Sequence, residues 1–226
     1  MTSGLELRGA PKFAFIIPLV MLLTAVRPET ARSAGIDVVV RDANGAPAFN
    51  AVVYAFPVGG KKPLLNVKPV IVDQIDKEFS PDVTVIPVGT PVFFPNDDDI
   101  RHHVYSLSQA KMFELPLYSG KKAEPIVFDK PGIVALGCNI HDWMVAFIYV
   151  VDTPYFAKTG KDGKARIEFP DDGEYNLFVW HPWMKGKPED MRKTVRADGH
   201  AMVEFGVKLK ANLHIRRAPA IGGGAY

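Results

Sequence analysis

Cys138, His141 and Met144 stand at intervals of three residues in the run LGCNIHDWM, and Cys138 is the one cysteine of the 226-residue chain. A thiolate, an imidazole and a thioether on one short connection are soft to borderline donors, the set that suits copper cycling between its two oxidation states. A further imidazole would complete three strong ligands, and the upstream run NDDDIRHHVYS offers two, His102 and His103. Neighbouring side chains on a strand face opposite ways, so only one of the pair can point at the thiol. His181, in VWHPWM, has Met184 nearby but no cysteine or acid at ligand spacing, and it reads as a structural or surface residue. The acidic run of residues 97–99 reads as a solvated turn, because adjacent carboxylates on an extended chain diverge.

The compartment sharpens the question of the lone thiol. Arg8 and Lys12 precede an apolar stretch over residues 13–26, and the polar RPETARSAG follows. This is the order of a secretory leader, expected over residues 1–34, with an apolar core too short and too broken by Pro18 to favour a stable membrane span. Export leads to an oxidising environment, where an exposed unpaired thiol is oxidised or captured, so Cys138 needs protection or a bound ion. Four basic and two acidic residues of the leader come out of 27 and 25 in the chain, which leaves the remainder neutral. A neutral chain gives no reason to expect nucleic acid as a partner.

Positioning these side chains falls to strands. Runs of valine, isoleucine, phenylalanine and tyrosine, separated by glycine, proline and aspartate clusters, predict an all-β protein. Strands are expected over 36–41, 51–56, 83–87, 91–94, 103–106, 126–128, 133–137, 146–151, 165–169, 175–180 and 200–207. On this reading one strand delivers Cys138, the next receives the chain after Met144, and a third carries the two histidines. The last residues, 213–226, lack apolar pattern and are expected to form a disordered tail.

The stretches KEFSPDVTVIPVGTPVFFPNDD, RHHV, FDKPGIVALGC and CNIHDWM, in that order, make residues 68–152 resemble a cupredoxin, a blue-copper Greek-key β-sandwich. The Cys-x-x-His-x-x-Met loop is similar to that of amicyanin, within the amicyanin- and plastocyanin-like group, and to the methylamine-utilization cupredoxins. The resemblance implies a single type 1 copper ion held by His102, Cys138 and His141, with Met144 as a long axial ligand. His103 then falls where the family carries an asparagine that pins the ligand loop, and it is also the alternative to His102. The flanking residues, 35–66 and 156–212, resemble a carboxypeptidase regulatory-like, transthyretin-like β-sandwich. Neither piece has strands enough to close a core alone, so one discontinuous domain is expected, with the copper domain of residues 67–155 inserted into it.

Three strong ligands and a weak axial one leave no position for substrate, and no catalytic triad, carboxylate pair or phosphate loop is evident. The expectation is therefore a periplasmic carrier of single electrons and not an enzyme. Its expected partners are redox proteins, a periplasmic dehydrogenase and a c-type cytochrome among them. The alternatives are a copper-binding or delivery protein without an electron-transfer role, and a metal-free β-sandwich interaction module.

Overall fold

The computed structural model describes Met1 and residues 34–60, 63–120, 124–199 and 201–211. The leader expected over residues 1–34, apart from Met1 and Ala34, lies outside the described residues, as do the expected tail, His200 and His214. The described strands, in chain order, are β1 (Ala34–Asp42), β2 (Val52–Pro57), β3 (Val70–Ile71), β4 (Asp73–Ile75), β5 (Glu78–Ser80), β6 (Val83–Pro87), β7 (Thr90–Phe93), β8 (His102–Ser108) and β9 (Lys111–Tyr118). They continue as β10 (Ile126–Phe128), β11 (Gly132–Gly137), β12 (Val145–Val151), β13 (Phe156–Lys158), β14 (Lys164–Phe169), β15 (Gly173–Trp180), β16 (Lys193–Ala197) and β17 (Ala201–Val207). The architecture is all-β, and among the described residues no helix is long and apolar enough to cross a membrane.

Two sets of sheets divide the strands. One set is the five-stranded β6-β12-β11-β8-β9, the three-stranded β10-β7-β3 and the β4-β5 hairpin. The other is β14-β1-β17 and β13-β2-β15-β16. In the second set the early strands find late partners: β1 lies between β14 and β17, and β2 between β13 and β15. Each set has its own core. Ile36, Val53, Ile167, Leu177 and Phe205 belong to one, and Ile86, Phe94, Val104, Phe128 and Ile148 to the other.

β2 and β12 are buried on both faces, which is why VVYAFP and VAFIYVV read as continuous apolar runs without alternation. On β12, Ala146, Ile148 and Val150 enter one core, while Tyr149 and Val151 turn outward to meet Val52 and Tyr54 of β2. Tyr149 stacks on Trp180 with ring centroids 4.8 Å apart and planes 5° from parallel, and its hydroxyl donates to the Tyr54 hydroxyl at 3.0 Å. An aromatic pair of this kind contributes about 0.5–1.5 kcal/mol beyond the area it buries. Polar ties flank the joint: Lys158 Nζ donates to the Val83 carbonyl at 2.7 Å, and Asn50 Nδ2 to Asp82 Oδ1 at 2.7 Å.

Six strands fall outside the expected set. β3, β4, β5 and β13 have two or three residues each, too few to show a period. β9 pairs only with β8, so it is an edge strand, where Pro116 and exposed Met112, Glu114 and Leu117 are tolerated. β16 is another edge strand with mostly exposed residues, paired with β15.

His181 follows β15 and is buried, with Nε2–H donating to the Phe49 carbonyl at 3.1 Å and Nδ1 accepting the Trp183 N–H at 3.2 Å. Burial holds its pKa below the usual 6.5, against weaker opposing effects from the Phe49 hydrogen bond and Asp82. The unfolded chain therefore takes up a proton below 6.5 that the folded state resists, and stability falls as pH drops through that window. In chemical denaturation, His181→Gln should reduce the stability lost between about pH 7 and about pH 5, by at most about 1.4 kcal/mol per pH unit. Identical pH profiles for parent and variant would contradict the buried, neutral imidazole.

Candidate metal centre

β11 ends at Gly137 and hands Cys138 to the loop that β12 closes after Met144. Gly137 pairs with Tyr105 of β8, and a Cβ there would lie 2.9 Å from the tyrosine ring, so glycine leaves room for that ring at the close approach of the two strands. That approach brings His102, at the start of β8, next to the cysteine. Within the loop the Met144 N–H donates to the His141 carbonyl at 2.9 Å and draws the chain into a turn.

Three donor atoms converge. Cys138 Sγ lies 3.9 Å from His102 Nδ1 and 3.8 Å from His141 Nδ1, and all three lie within 4.8 Å of one another. Among the described residues this is the one cluster of three such side chains. Donors bound at about 2.0 Å (nitrogen) and about 2.3 Å (sulfur) around a trigonal ion stand about 3.7 Å apart, so the spacing fits a shared ion. His102 is wholly buried, Cys138 nearly so, and His141 is partly exposed. Met144 is buried in the same core.

His102 Nε2 lies 2.6 Å from Asp98 Oδ2, with the aspartate side chain only 11% exposed. A carboxylate accepting the Nε2–H fixes the tautomer in which Nδ1 keeps its lone pair, and that lone pair faces the thiol. Asp98 is itself held: it accepts the N–H of Asp76 at 2.6 Å and of Lys77 at 2.9 Å, and its own N–H donates to Asn96 Oδ1 at 3.1 Å. Asp76 and Lys77 form a left-handed turn, with φ of 56° and 60°, between β4 and β5. The same turn reaches the other histidine, because Trp143 Nε1–H donates to the Lys77 carbonyl at 3.0 Å and the Trp143 ring lies 5.1 Å from that of His141.

The structure thus brings His102, Cys138 and His141 together, with Met144 in the adjoining core. His103 points elsewhere: its Nε2 lies 2.8 Å from Glu114 Oε1, and its ring sits 5.5 Å from that of Tyr105 on the opposite face. The reading of residues 97–99 as a solvated turn is corrected for Asp98, whose carboxylate is turned inward by the histidine and the two turn amides. The available signal was the spacing of Asp98 four residues before a candidate ligand.

No protein-family model matches the chain, and no curated protein matches it. Similar solved structures include a copper-containing nitrite reductase from Thermus scotoductus SA-01, 31% identical over 42% of this chain and 25% of the reductase, with a TM-score of 0.35. The match thus spans a quarter of that enzyme. A purple cupredoxin from Nitrosopumilus maritimus is 26% identical over 36% of this chain and 99% of its own, with a TM-score of 0.33. Amicyanin from Paracoccus versutus is 17% identical over 36% of this chain and 80% of its own, with a TM-score of 0.32.

The Asp98 contact has a measurable consequence. Asp98→Ala should lower Cu(I) affinity by about 10–100-fold, the usual effect of removing a partner that orients a metal-binding histidine. A competition titration against a chromophoric chelator reads this, with thermal unfolding of the metal-free variant as the control for folding. An affinity equal to that of the parent would remove the orienting role.

Proposed function

We propose that this chain binds one copper ion through His102, Cys138, His141 and Met144 and carries single electrons between redox proteins. The observation that supports it is the convergence of His102 Nδ1, Cys138 Sγ and His141 Nδ1 in a largely buried setting. Copper held there would supply a one-electron couple. The chain's own residues supply the rest. Asp98 and the 76–77 turn hold one imidazole, Trp143 packs beside the other, and the surrounding core excludes water from the thiol. A cradle tied from both sides resists rearrangement when charge changes, which favours electron transfer over substrate chemistry. His141, the partly exposed ligand, is the edge through which electrons pass to a partner.

The short ligand loop is read as amicyanin-like, and the carrier is assigned to the periplasm on the strength of the leader expected over residues 1–34. Partners of the matching kind are a periplasmic dehydrogenase and a c-type cytochrome. In the same reading, residues 35–66 and 156–212 form one discontinuous domain that carries the inserted residues 67–155, supported by the pairing of β1 and β2 with late strands.

Copper loading of the chain without residues 1–34 should give an intense visible band and a reversible voltammetric wave. Cys138→Ser should abolish the band, whereas Met144→Leu should keep it and raise the potential, since the oxidised ion loses a donor. A colourless Cu(I) complex with freely exchangeable metal would replace the carrier by a copper-delivery protein, and no binding would leave an interaction module.

The domain reading has its own test. Replacing residues 68–152 with a short Gly-Ser linker should leave a β domain that unfolds cooperatively by circular dichroism. An unfolded product, beside a stable excised copper domain, would make the outer strands mere extensions.

A further inference from the structure

The chain has three tryptophans, Trp143, Trp180 and Trp183, and all three stand in one run of aromatic rings that begins at the metal centre. Trp143 lies 5.1 Å from the His141 ring. It shares the wall of a cavity of about 290 Å³ with Phe147 and Trp183, whose rings are 5.8 Å apart and near perpendicular. Phe147 in turn lies 6.2 Å from Trp180. Trp180 stacks on Tyr149, and Tyr149 meets Tyr54 of β2 with ring centroids 5.4 Å apart and a hydrogen bond between the two hydroxyls. The run thus leaves the core under the metal centre, crosses the joint and ends in the sheet β13-β2-β15-β16, where Phe56 packs on Tyr54 at 6.0 Å.

Packing alone does not call for this composition. The two cores on either side are closed mainly by aliphatic side chains and phenylalanine, whereas indole and phenol rings, which give up an electron more readily than those do, gather at the joint. Electron tunnelling weakens exponentially with the gap between groups, so rings in near contact conduct where an aliphatic core of the same depth insulates. Centroid spacings of 4.8 to 6.2 Å fall within the about 4.5–7 Å of packed aromatic pairs, and the remaining step, from Trp143 to Phe147 and Trp183, is across the cavity all three line. Trp180 and Tyr149 are buried, which holds the middle of the run in place.

Resting on the copper reading above, we propose that these rings form a second electron path, from the metal centre to the β2 side of the joint. A one-electron oxidant docked on that side is then served as well as one docked at His141. One electron leaves the reduced centre and one reaches the oxidant, and each ring that passes an electron onward is refilled from the ring before it, so no proton has to move.

The test places an oxidant at the far end. Val58, 44% exposed, follows β2 two residues beyond Phe56, and Cys138 is buried, so a ruthenium polypyridyl maleimide attaches to Val58→Cys. A flash in the presence of an external electron acceptor converts the label to ruthenium(III). In the copper-loaded, reduced chain the label should regain its electron in a first-order step independent of protein concentration, in time with growth of the centre's visible band. In the metal-free chain the same flash should leave indolyl radical absorption instead. Trp180→Phe, which keeps a ring against Tyr149 and Phe147, should slow the refilling at least about tenfold, and Tyr149→Phe gives the same reading if that variant fails to fold. Rings that only pack predict parental rates in both variants. That result, no indolyl signal without metal, or a coloured and reduced chain that fails to refill the label would overturn the path and leave the carrier reading standing. A chain that takes up no copper would overturn the carrier reading and the path with it.

Discussion

A single carboxylate holds the centre in shape. Asp98 is nearly buried, and it is satisfied only because His102 and two turn amides at Asp76 and Lys77 all direct their hydrogens at it. Burying a carboxylate without such partners would cost several kcal/mol, so the three segments are locked to one another. The Lys77 carbonyl then takes the Trp143 indole N–H, and Trp143 lies beside His141. Both imidazoles are thereby referenced to one two-residue turn, while β11 and β12 present the thiol between them. A donor set held from outside in this way keeps its geometry when the charge at its middle changes.

The second constraint is that two strands serve two interiors each. β12 lines the core under the metal centre with Ala146, Ile148 and Val150 and the joint between the two sets of sheets with Tyr149 and Val151. β2 does the same from the other side, with Val53 and Ala55 in one core and Val52 and Tyr54 in the joint. The strand that follows the ligand loop therefore cannot shift without disturbing both halves, which couples the outer sheets to the site.

How much of this could be read beforehand follows the range of each interaction. The ligand loop was legible because three donors fall within seven residues on one connection, and β12 was legible as an apolar run. The choice between His102 and His103 needed the bulge between His102 and Val104 and the company of each ring, which only the folded strand pair β8 and β9 supplies. Asp98 is misread from local sequence, which shows an acidic turn, whereas the turn amides that bury it come from 22 and 21 residues upstream. β9 was invisible for a different reason: an edge strand exposes one face and tolerates proline, so it leaves no strong apolar signature.

The central claim is that His102, Cys138 and His141 bind one copper ion without rearranging between its oxidation states. X-ray absorption at the copper edge, on the same sample oxidised and then reduced, measures this directly. The account predicts one short sulfur and two nitrogen scatterers in both states with nearly unchanged distances. A first shell of oxygen and nitrogen alone, or a ligand count that changes on reduction, would contradict it.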